Sequence, residues 1–358
     1  MSRWTDRRVL DLLGIEHPLL LAPMAGSGLS ALAVGIARAG GLGAIPCASL
    51  SVDAVASEVA AFRAATRGPV NLNFFAHTPL VPRAGDTDRW LARLRPYFDE
   101  FALDSGALPA ATGRAPFDAA LCDAVEALRP EVVSFHFGLP EPALLDRVKA
   151  TGATILASAT TVAEGRWLAA RGCDAIIAQG YEAGGHRSSF LTDDMATQPG
   201  TLALVPQMVD ALSVPVIAAG GIGDGRGMAA ALCLGAAAVQ LGTAFLLADE
   251  ATSAAAHRAA VRRARDDNTA ITNVLTGRPA RGVVNRVMRE LGPMSGDVLP
   301  FPLASGPMAP LRATTEASGE GDFQPLWSGQ AGGLAHEGPA TDIARAIIEQ
   351  AGRVLRLG

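Results

Sequence analysis

Short apolar runs alternate with amphipathic stretches along the first 243 residues of the chain. Eight of these runs have the length of a β-strand, and most are followed by a stretch with helical periodicity. The runs cover residues 18–24, 42–46, 70–75, 132–137, 153–158, 175–179, 214–219 and 237–241. Because they are continuously apolar instead of alternating, they predict parallel strands that are buried on both faces.

The order of these elements predicts the fold class. Eight βα units within the first 243 residues fit a (β/α)8 TIM barrel. Helices are expected near residues 29–39, 52–66, 86–101 and 117–129. A doubly wound parallel sheet stays open as an alternative, because a count of units does not show that the sheet closes on itself.

The last third of the chain has a different pattern. Residues 250–292 predict helices rich in Ala and Arg, whereas residues 293–340 are dense in Gly and Pro with little periodicity. A final amphipathic helix is expected over residues 342–355. This change indicates a second, smaller structural unit.

We predict two domains from these patterns. Residues 1–247, with about 321–358 returning to them, are expected to form the barrel. Residues 248–320 are expected to form a smaller, mainly helical or irregular lid over the substrate. The long connection at 76–130 is a candidate addition to that lid.

Composition restricts the class of protein. With 358 residues, 49% of them hydrophobic and 18% charged, the chain can bury a large core, which excludes disordered, collagen-like and coiled-coil proteins. A net charge of −5 without a basic cluster argues against nucleic-acid and anionic-membrane partners. Four separated cysteines, no signal-type leader and no apolar run of membrane-spanning length predict a cytoplasmic protein, either a monomer or a homodimer.

Glycines follow the last two predicted strands. Residues 220–227 read Gly-Gly-Ile-Gly-Asp-Gly-Arg-Gly, and Gly242-Thr243 follows the eighth strand. Phosphate groups commonly bind at these two loops in TIM barrels, where glycines let backbone N–H groups approach the oxygens. We therefore predict a phosphate site here, against the alternative of tight turns that bind nothing.

Polar side chains interrupt three otherwise apolar strands near their ends, at Asn73, His136 and Gln179. Single residues of this kind are often core polar groups that a neighbouring backbone satisfies. Three at one barrel mouth, beside an apolar wall at residues 22–24, instead predict a planar heterocyclic cofactor.

The loop after the sixth strand carries the most specific segment, Gln179-Gly-Tyr-Glu-Ala-Gly-Gly-His-Arg-Ser-Ser189. A histidine at the mouth of a barrel titrates near neutral pH and is suited to take a proton or hold an anion. The alternative is that His186 only packs this loop.

Several barrel chemistries lack their residues. The single lysine, Lys149, falls on a predicted helix, so no strand-end lysine is available for a Schiff base. The six histidines have no metal-ligand spacing, and no pair of carboxylates lies at strand ends as in glycosidases. A bound cofactor, without a metal, is therefore expected to supply the chemistry.

A dinucleotide-binding motif is also present at Gly26-Ser-Gly-Leu-Ser-Ala31, with Asp53 further on. The motif is weak when alone, and eight successive units do not suit the six-stranded order of a Rossmann sheet. This alternative is not favoured.

Several segments together resemble the nitronate monooxygenase family, formerly called 2-nitropropane dioxygenases. They lie at residues 21–26, 71–77, 134–140, 179–187, 218–222 and 240–243. The resemblance extends to residues 277–281 and 326–330 and so covers nearly the whole chain. It implies an FMN-binding barrel that needs neither a nicotinamide nor a metal.

The resemblance also implies roles for individual residues. The flavin would lie against Ala22, Pro23, Met24, Asn73, Gln179, Gly184 and Gly185. Its ribityl chain and phosphate would lie against Gly220, Gly221, Gln240, Leu241, Gly242 and Thr243. His186 is implied as the base or anion-binding residue, with His136 as its helper.

The implied reaction is the oxidation of an alkyl nitronate by O2 to a carbonyl compound and nitrite, through a flavin semiquinone; a nitroalkane would first lose its α-proton. Two alternatives stay open. One is an FMN-dependent NAD(P)H reductase of the enoyl-ACP or quinone type, because such enzymes share a similar loop. The other is a flavin-binding protein without catalysis.

The predicted lid departs from the better-studied branch of this family. There, the segment that corresponds to residues 297–312 carries tyrosines and a lysine near the substrate. Here it carries neither residue type, and Arg312 is a candidate source of positive charge. Substrate preference is the property that this difference affects.

Overall fold

Eight parallel strands form the centre of the molecule. The structure is a computed structural model that describes residues 4–104, 114–317, 319 and 321–357. The eight strands are β1 (Leu19–Leu21), β2 (Gly43–Pro46), β3 (Val70–Phe75), β4 (Val132–His136), β5 (Thr154–Ala159), β6 (Ala175–Gln179), β8 (Val216–Ala219) and β9 (Ala238–Leu241). The strand β7 (Gly185–His186) has two residues and belongs to a second sheet. Seven of the eight predicted runs begin and end within two residues of these bounds.

The first run is the exception, because residues 22–24 leave the strand ladder after Leu21. They pass instead along the mouth of the barrel, where Ala22 to Met24 line a cavity.

The eight strands close into a barrel. Their order is β1-β9-β8-β6-β5-β4-β3-β2, and every pairing is parallel. The two ends of this order also meet, because Leu20 forms a parallel bridge with Leu42. The Leu42 N–H donates to Leu19 O at 3.0 Å, and Leu21 N–H donates to Leu42 O at 2.9 Å. This closure confirms the TIM barrel and excludes the doubly wound sheet.

Helices surround the barrel, and several begin at side chains that accept a hydrogen bond from the first turn, such as Ser51 and Thr161. The helices are α1 (Arg8–Leu13), α2 (Ser30–Arg38), α3 (Val52–Ala65), α4 (Asp86–Glu100), α5 (Ala119–Leu128), α6 (Pro142–Ala150), α7 (Val162–Ala169), α8 (Thr201–Ala211), α9 (Gly225–Cys233), α10 (Ala255–Arg262), α11 (Arg286–Leu291), α12 (Ser305–Ala317) and α13 (Ala340–Val354). Among the described residues, no helix is both long and apolar enough to cross a membrane.

The stretch after the barrel differs from the expectation of helices alone. Within residues 250–292, β10 (Thr269–Thr272) and β11 (Ala280–Val283) form an antiparallel pair, and β11 also pairs with β7. The stretch described as irregular contains the helix α12. The sequence did not predict these strands because each has only four residues, too few to show a clear alternating period, and β11 also pairs with two residues about a hundred positions earlier.

A second hydrophobic cluster lies apart from the barrel core. Trp90 and Phe98 of α4 are buried there with Met288, Leu311 and Phe323. The long third connection therefore packs against the segment that follows the barrel.

The C-terminal helix α13 returns to the barrel and packs against α9. A β-carbon on Gly225, at the start of α9, would lie 2.5 Å from both Ala351 N and Ile347 O of α13. We predict that Gly225→Ala lowers the free energy of unfolding by about 1–3 kcal/mol, because backbone atoms cannot move aside cheaply. Urea denaturation measures this change.

Gly296→Ala is the matched control, because nothing lies within 4 Å of its added β-carbon. Its expected effect is within about 0.5 kcal/mol. Equal stability of the two variants would contradict the close packing of α9 on α13.

Candidate functional site

The carboxyl-terminal ends of the barrel strands surround a cavity, where active sites of TIM barrels lie. The structure brings nearly all of the predicted site residues into its wall: Ala22, Pro23, Met24, Asn73, His136, Gln179, Gly184, Gly185, His186, Gly220, Gly221, Gln240, Gly242 and Thr243. Leu241 lies outside the wall, with its side chain in the barrel core. Its carbonyl accepts a hydrogen bond of 2.8 Å from Ala22 N–H.

The polar strand ends use their amide groups within the protein. Asn73 Nδ2 donates to Ser134 Oγ at 2.9 Å. Gln179 Nε2 donates to His186 O at 3.0 Å, and Gln179 Oε1 accepts from Ser188 N–H at 2.8 Å. Gln179 therefore fixes the backbone on both sides of Arg187 and so positions the loop that carries His186.

Buried charged side chains also bind the loop that carries His186. The fully buried guanidinium of Arg187 donates to Gln179 O and to Gln198 Oε1, both at 2.9 Å. The carboxylate of Glu164 is also fully buried and accepts from the backbone N–H groups of residues 190 and 191, at 2.7 and 3.1 Å. Removing a partner from such a network leaves a buried charge uncompensated, so the loop is rigidly placed.

The pairing of β7 with β11 sets the position of the His186 side chain. His186 lies opposite Ala280, and its Nε2 is 2.9 Å from Thr276 Oγ1. The Thr276 hydroxyl also lies 3.4 Å from Arg278 O, which can accept its proton. When Nε2 of His186 carries its proton and donates to Thr276 Oγ1, Nδ1 is the atom that can take a proton.

Aromatic rings surround the His186 imidazole. Phe301 and Trp327 lie with ring centroids 5.3 and 5.4 Å from it, and Phe137 and Phe75 lie at 6.0 and 6.4 Å. These rings exclude water and give the surroundings of the imidazole an apolar character.

The histidines of the site are held neutral. Burial lowers the pKa of His136 to about 3, against the smaller opposing effect of its hydrogen bond to His186 O at 3.2 Å. Burial likewise lowers the pKa of His77 to about 4. The pKa of His186 lies well below its usual value, first through burial and then through the charge of Arg114. A neutral imidazole at His186 is the form that accepts a proton.

Two glycine loops form a cradle opposite the histidines. Gly220 and Gly221 have φ of 110° and 70°, which favours glycine. Within the described residues, no backbone hydrogen bond uses the N–H of Gly221 or of Gly242. Free N–H groups on such loops suit the oxygens of a phosphate.

A buried amide oxygen also lacks a partner beside this cradle. Gln240 is 9% exposed and lines the cavity, and its Oε1 has no hydrogen-bond partner among the described residues. An acceptor buried without a donor is costly, so a ligand with an N–H or O–H group would satisfy it.

Comparisons with known proteins agree with this geometry. The family model described as nitronate monooxygenase matches residues 6–350. A nitronate monooxygenase from Pseudomonas aeruginosa is 39% identical over 352 residues, which cover 97% of this chain and 99% of that protein. One from Paraburkholderia phytofirmans is 39% identical and covers 95% of this chain and 94% of its own.

The chain belongs to the nitronate monooxygenase family.

Solved structures support the same assignment. A nitroalkane oxidase from Streptomyces ansochromogenes has a TM-score of 0.89 at 33% identity, covering 98% of this chain and 99% of its own. FabK from Thermotoga maritima has a TM-score of 0.75 at 27% identity, with 98% and 97% covered. This order of similarity places the chain nearer to the nitronate and nitroalkane enzymes than to FabK.

Residues 297–312, which contain no tyrosine or lysine, bring one aromatic side chain to the site. Phe301 supplies an aromatic ring against His186, without a hydroxyl. Arg312 donates to Ser305 O at 3.1 Å and lies outside the cavity wall. The positive charge in the wall comes instead from Arg114, which the sequence did not single out.

The sequence analysis also did not predict the group of aromatic side chains that surrounds His186. Phe75 and Phe137 stand at the ends of predicted strands, so a search for aromatic residues at strand ends would have found them. Arg114 offered no such signal, because its local sequence is an ordinary connection. Among the described residues, no three His, Cys, Asp or Glu side chains group as metal ligands.

The low histidine pKa values predict that acid destabilises the fold. A histidine whose folded pKa lies below its unfolded value of about 6.5 stabilises the fold fully above pH 6.5. That stability is lost as the pH falls, because the unfolded chain binds the proton first. Between pH 6.5 and 5 we expect a loss of about 2 kcal/mol for each of His77 and His136.

Urea unfolding at pH 7, 6 and 5 measures this slope. His136→Asn keeps a donor for His186 O and removes the titration, so it is expected to flatten the slope by that histidine's share. His336→Asn, at an exposed histidine outside the cavity wall, is the matched control for the substitution itself. An unchanged slope in His136→Asn contradicts a neutral buried His136.

Proposed function

We propose that the protein is an FMN-dependent nitronate monooxygenase, which oxidises alkyl nitronates with O2 to a carbonyl compound and nitrite. The observation that carries the proposal is a neutral His186, ringed by aromatic side chains, at the mouth of a barrel in this family. Members of this family depend on a flavin. The substrate is a small molecule, in keeping with a partly open, largely apolar cavity at the mouth of the barrel.

The residues present fit FMN. The unused N–H groups of Gly221 and Gly242 are suited to the phosphate, and the free oxygen of Gln240 is suited to an N–H or hydroxyl of the cofactor. Residues 22–24 offer an apolar wall for the ring system. A bound FMN would supply the electron transfer between the nitronate and O2.

The chain itself supplies positioning and proton transfer. Gln179 and Arg187 hold the His186 loop, and Thr276 directs Nε2–H away from reaction so that Nδ1 is available. With a neutral nitroalkane, Nδ1 of His186 takes the α-proton and produces the nitronate in place. His136 orients this loop by donating Nε2–H to His186 O.

Reduction by NAD(P)H is the second function considered, and the comparisons do not favour it. Identity to the nitronate monooxygenases is 39%, against 27% to FabK. An enoyl reductase domain from Bacillus amyloliquefaciens shares 13% identity, which shows the common fold alone.

We also propose that residues 248–320 act as the lid over this site. Phe301 brings one ring of that segment against His186, and α4 of the third connection packs into the same hydrophobic cluster. The lid thereby completes the apolar surroundings of the base.

His186→Asn tests the proposed function. The wild-type protein should release nitrite from a short-chain nitronate with O2 and without NADH or NADPH. The variant should lose about 10²–10⁴-fold in turnover of the neutral nitroalkane, because the general base is gone. Its turnover of the preformed nitronate should fall by less than tenfold, because that substrate has no α-proton to lose. Equal losses on both substrates would exclude His186 as the base.

Gly221→Ala tests the proposed cradle. The variant places a β-carbon at φ of 70° and 3.3 Å from Glu182 Cβ, which shifts the N–H that faces the phosphate. We expect at least a tenfold rise in the dissociation constant of FMN, measured by quenching of flavin fluorescence.

Gly14→Ala is the control, because Gly14 has a similar φ of 66° at the end of α1, remote from the cavity. The Gly14→Ala variant has the same conformational strain of a β-carbon at positive φ, and it should bind FMN with wild-type affinity. Unchanged FMN affinity in Gly221→Ala would argue against a phosphate at this loop.

A further inference from the structure

Among the described residues, an arginine in the wall of the cavity has no counter-ion. Arg114 lies in the connection between α4 and α5, and its backbone N–H donates to Ala48 O at 2.8 Å. Its side chain lines the same cavity as His186. Its Nη1 is shielded from solvent and has no hydrogen-bond partner, and no described carboxylate pairs with the guanidinium.

The surroundings oppose the charge of Arg114. Burial and the neighbouring cation Arg312 lower its pKa to about 10, so the guanidinium still carries its charge at neutral pH. Other buried arginines nearby have acceptors: Arg187 donates to carbonyl and amide oxygens, and Arg278 donates to Ser189 O and lies over the Phe137 ring at 4.1 Å, although its Nε has no partner among the described residues. An unpaired, desolvated cation is unfavourable in the protein alone, so an anionic ligand would stabilise it.

The geometry of a guanidinium narrows the class of anion. Its planar fork donates two parallel N–H groups, which match two oxygens that share one central atom. A nitronate is such an anion, with two oxygens on one nitrogen, and the flavin phosphate has its own cradle at Gly221 and Gly242.

We propose that Arg114 binds the two nitronate oxygens and thereby sets the preference of the enzyme for an anionic substrate. This inference rests on the proposed function for the identity of the anion. Arg114 and His186 line the same cavity, and the charge of Arg114 lowers the pKa of His186, so the bound oxygens would lie within the electrostatic reach of the proposed base. Arg114 also stabilises the charge that appears on those oxygens when a neutral nitroalkane is deprotonated.

Nitrate is the binding probe, because it is planar, anionic and not oxidised by the enzyme. Titration calorimetry on the purified flavoprotein is expected to show at least a tenfold weaker nitrate affinity in Arg114→Met, with a smaller loss in Arg114→Lys. Arg312→Met is the matched control, since Arg312 is a nearby arginine outside the cavity wall, and it should keep the affinity within twofold.

Kinetics separate binding from a structural effect. For a nitronate, Arg114→Met should raise KM at least tenfold, because the charge is present when the substrate binds. For the neutral nitroalkane, KM should change less than threefold while kcat falls at least tenfold, because the charge develops only in the transition state. A misfolded site would lower activity on both substrates and would not separate a KM effect for the nitronate from a kcat effect for the nitroalkane.

Two outcomes overturn the proposal. One is nitrate affinity and nitronate KM within twofold of wild type in Arg114→Met at normal flavin content. The other is loss of flavin from Arg114→Met with unchanged nitrate affinity in the remaining flavoprotein, which assigns the arginine to the cofactor. Nitrate binding stays informative if nitronates prove not to be substrates, so failure of the proposed function is distinguishable from failure of this inference.

Discussion

The side-chain amide of Gln179 is the contact on which the site depends. It stands at the end of β6 and holds the loop at two points, the carbonyl of His186 and the N–H of Ser188. These two hydrogen bonds tie the loop to the end of a rigid barrel strand and so restrict its position. Arg187 and Glu164 reinforce the same loop with buried charges.

This fixed loop allows the second sheet to form. Gly185 and His186 pair with β11 because the loop presents them as an extended strand, and the pairing brings Thr276 to Nε2 of His186. Phe301, from the segment that follows the barrel, then adds a ring to the aromatic wall around the imidazole. In the resulting pocket burial lowers the histidine pKa values, and Nη1 of Arg114 has no partner among the described residues.

The barrel was predictable because its signal is local. The runs at 70–75 and 175–179 became β3 and β6 with the same bounds, since continuous apolar strands of a parallel sheet are visible in the sequence itself. The strands β10 and β11 were not predicted, because each has only four residues and the pairing of β11 with β7 joins positions that lie far apart in sequence. A pattern search has no access to such a pairing.

The sequence predicted that the candidate site residues lie together, but it did not predict the contacts that each side chain makes. The motifs around Asn73, Gln179, His186 and Gly221 led to one cavity. The Gln179 amide forms both of its hydrogen bonds with the loop that carries His186, and only the folded structure shows these contacts. Arg114 was overlooked because the absence of a partner is a property of the tertiary structure.

The most direct test of the account is the visible spectrum of the purified protein under anaerobic conditions, first with a short-chain nitronate and then separately with NADH and NADPH. The account predicts a protein that carries flavin and loses its oxidised-flavin absorbance with the nitronate alone. Bleaching with a reduced nicotinamide but not with the nitronate would contradict it. A colourless protein that does not take up FMN would contradict the cofactor site itself.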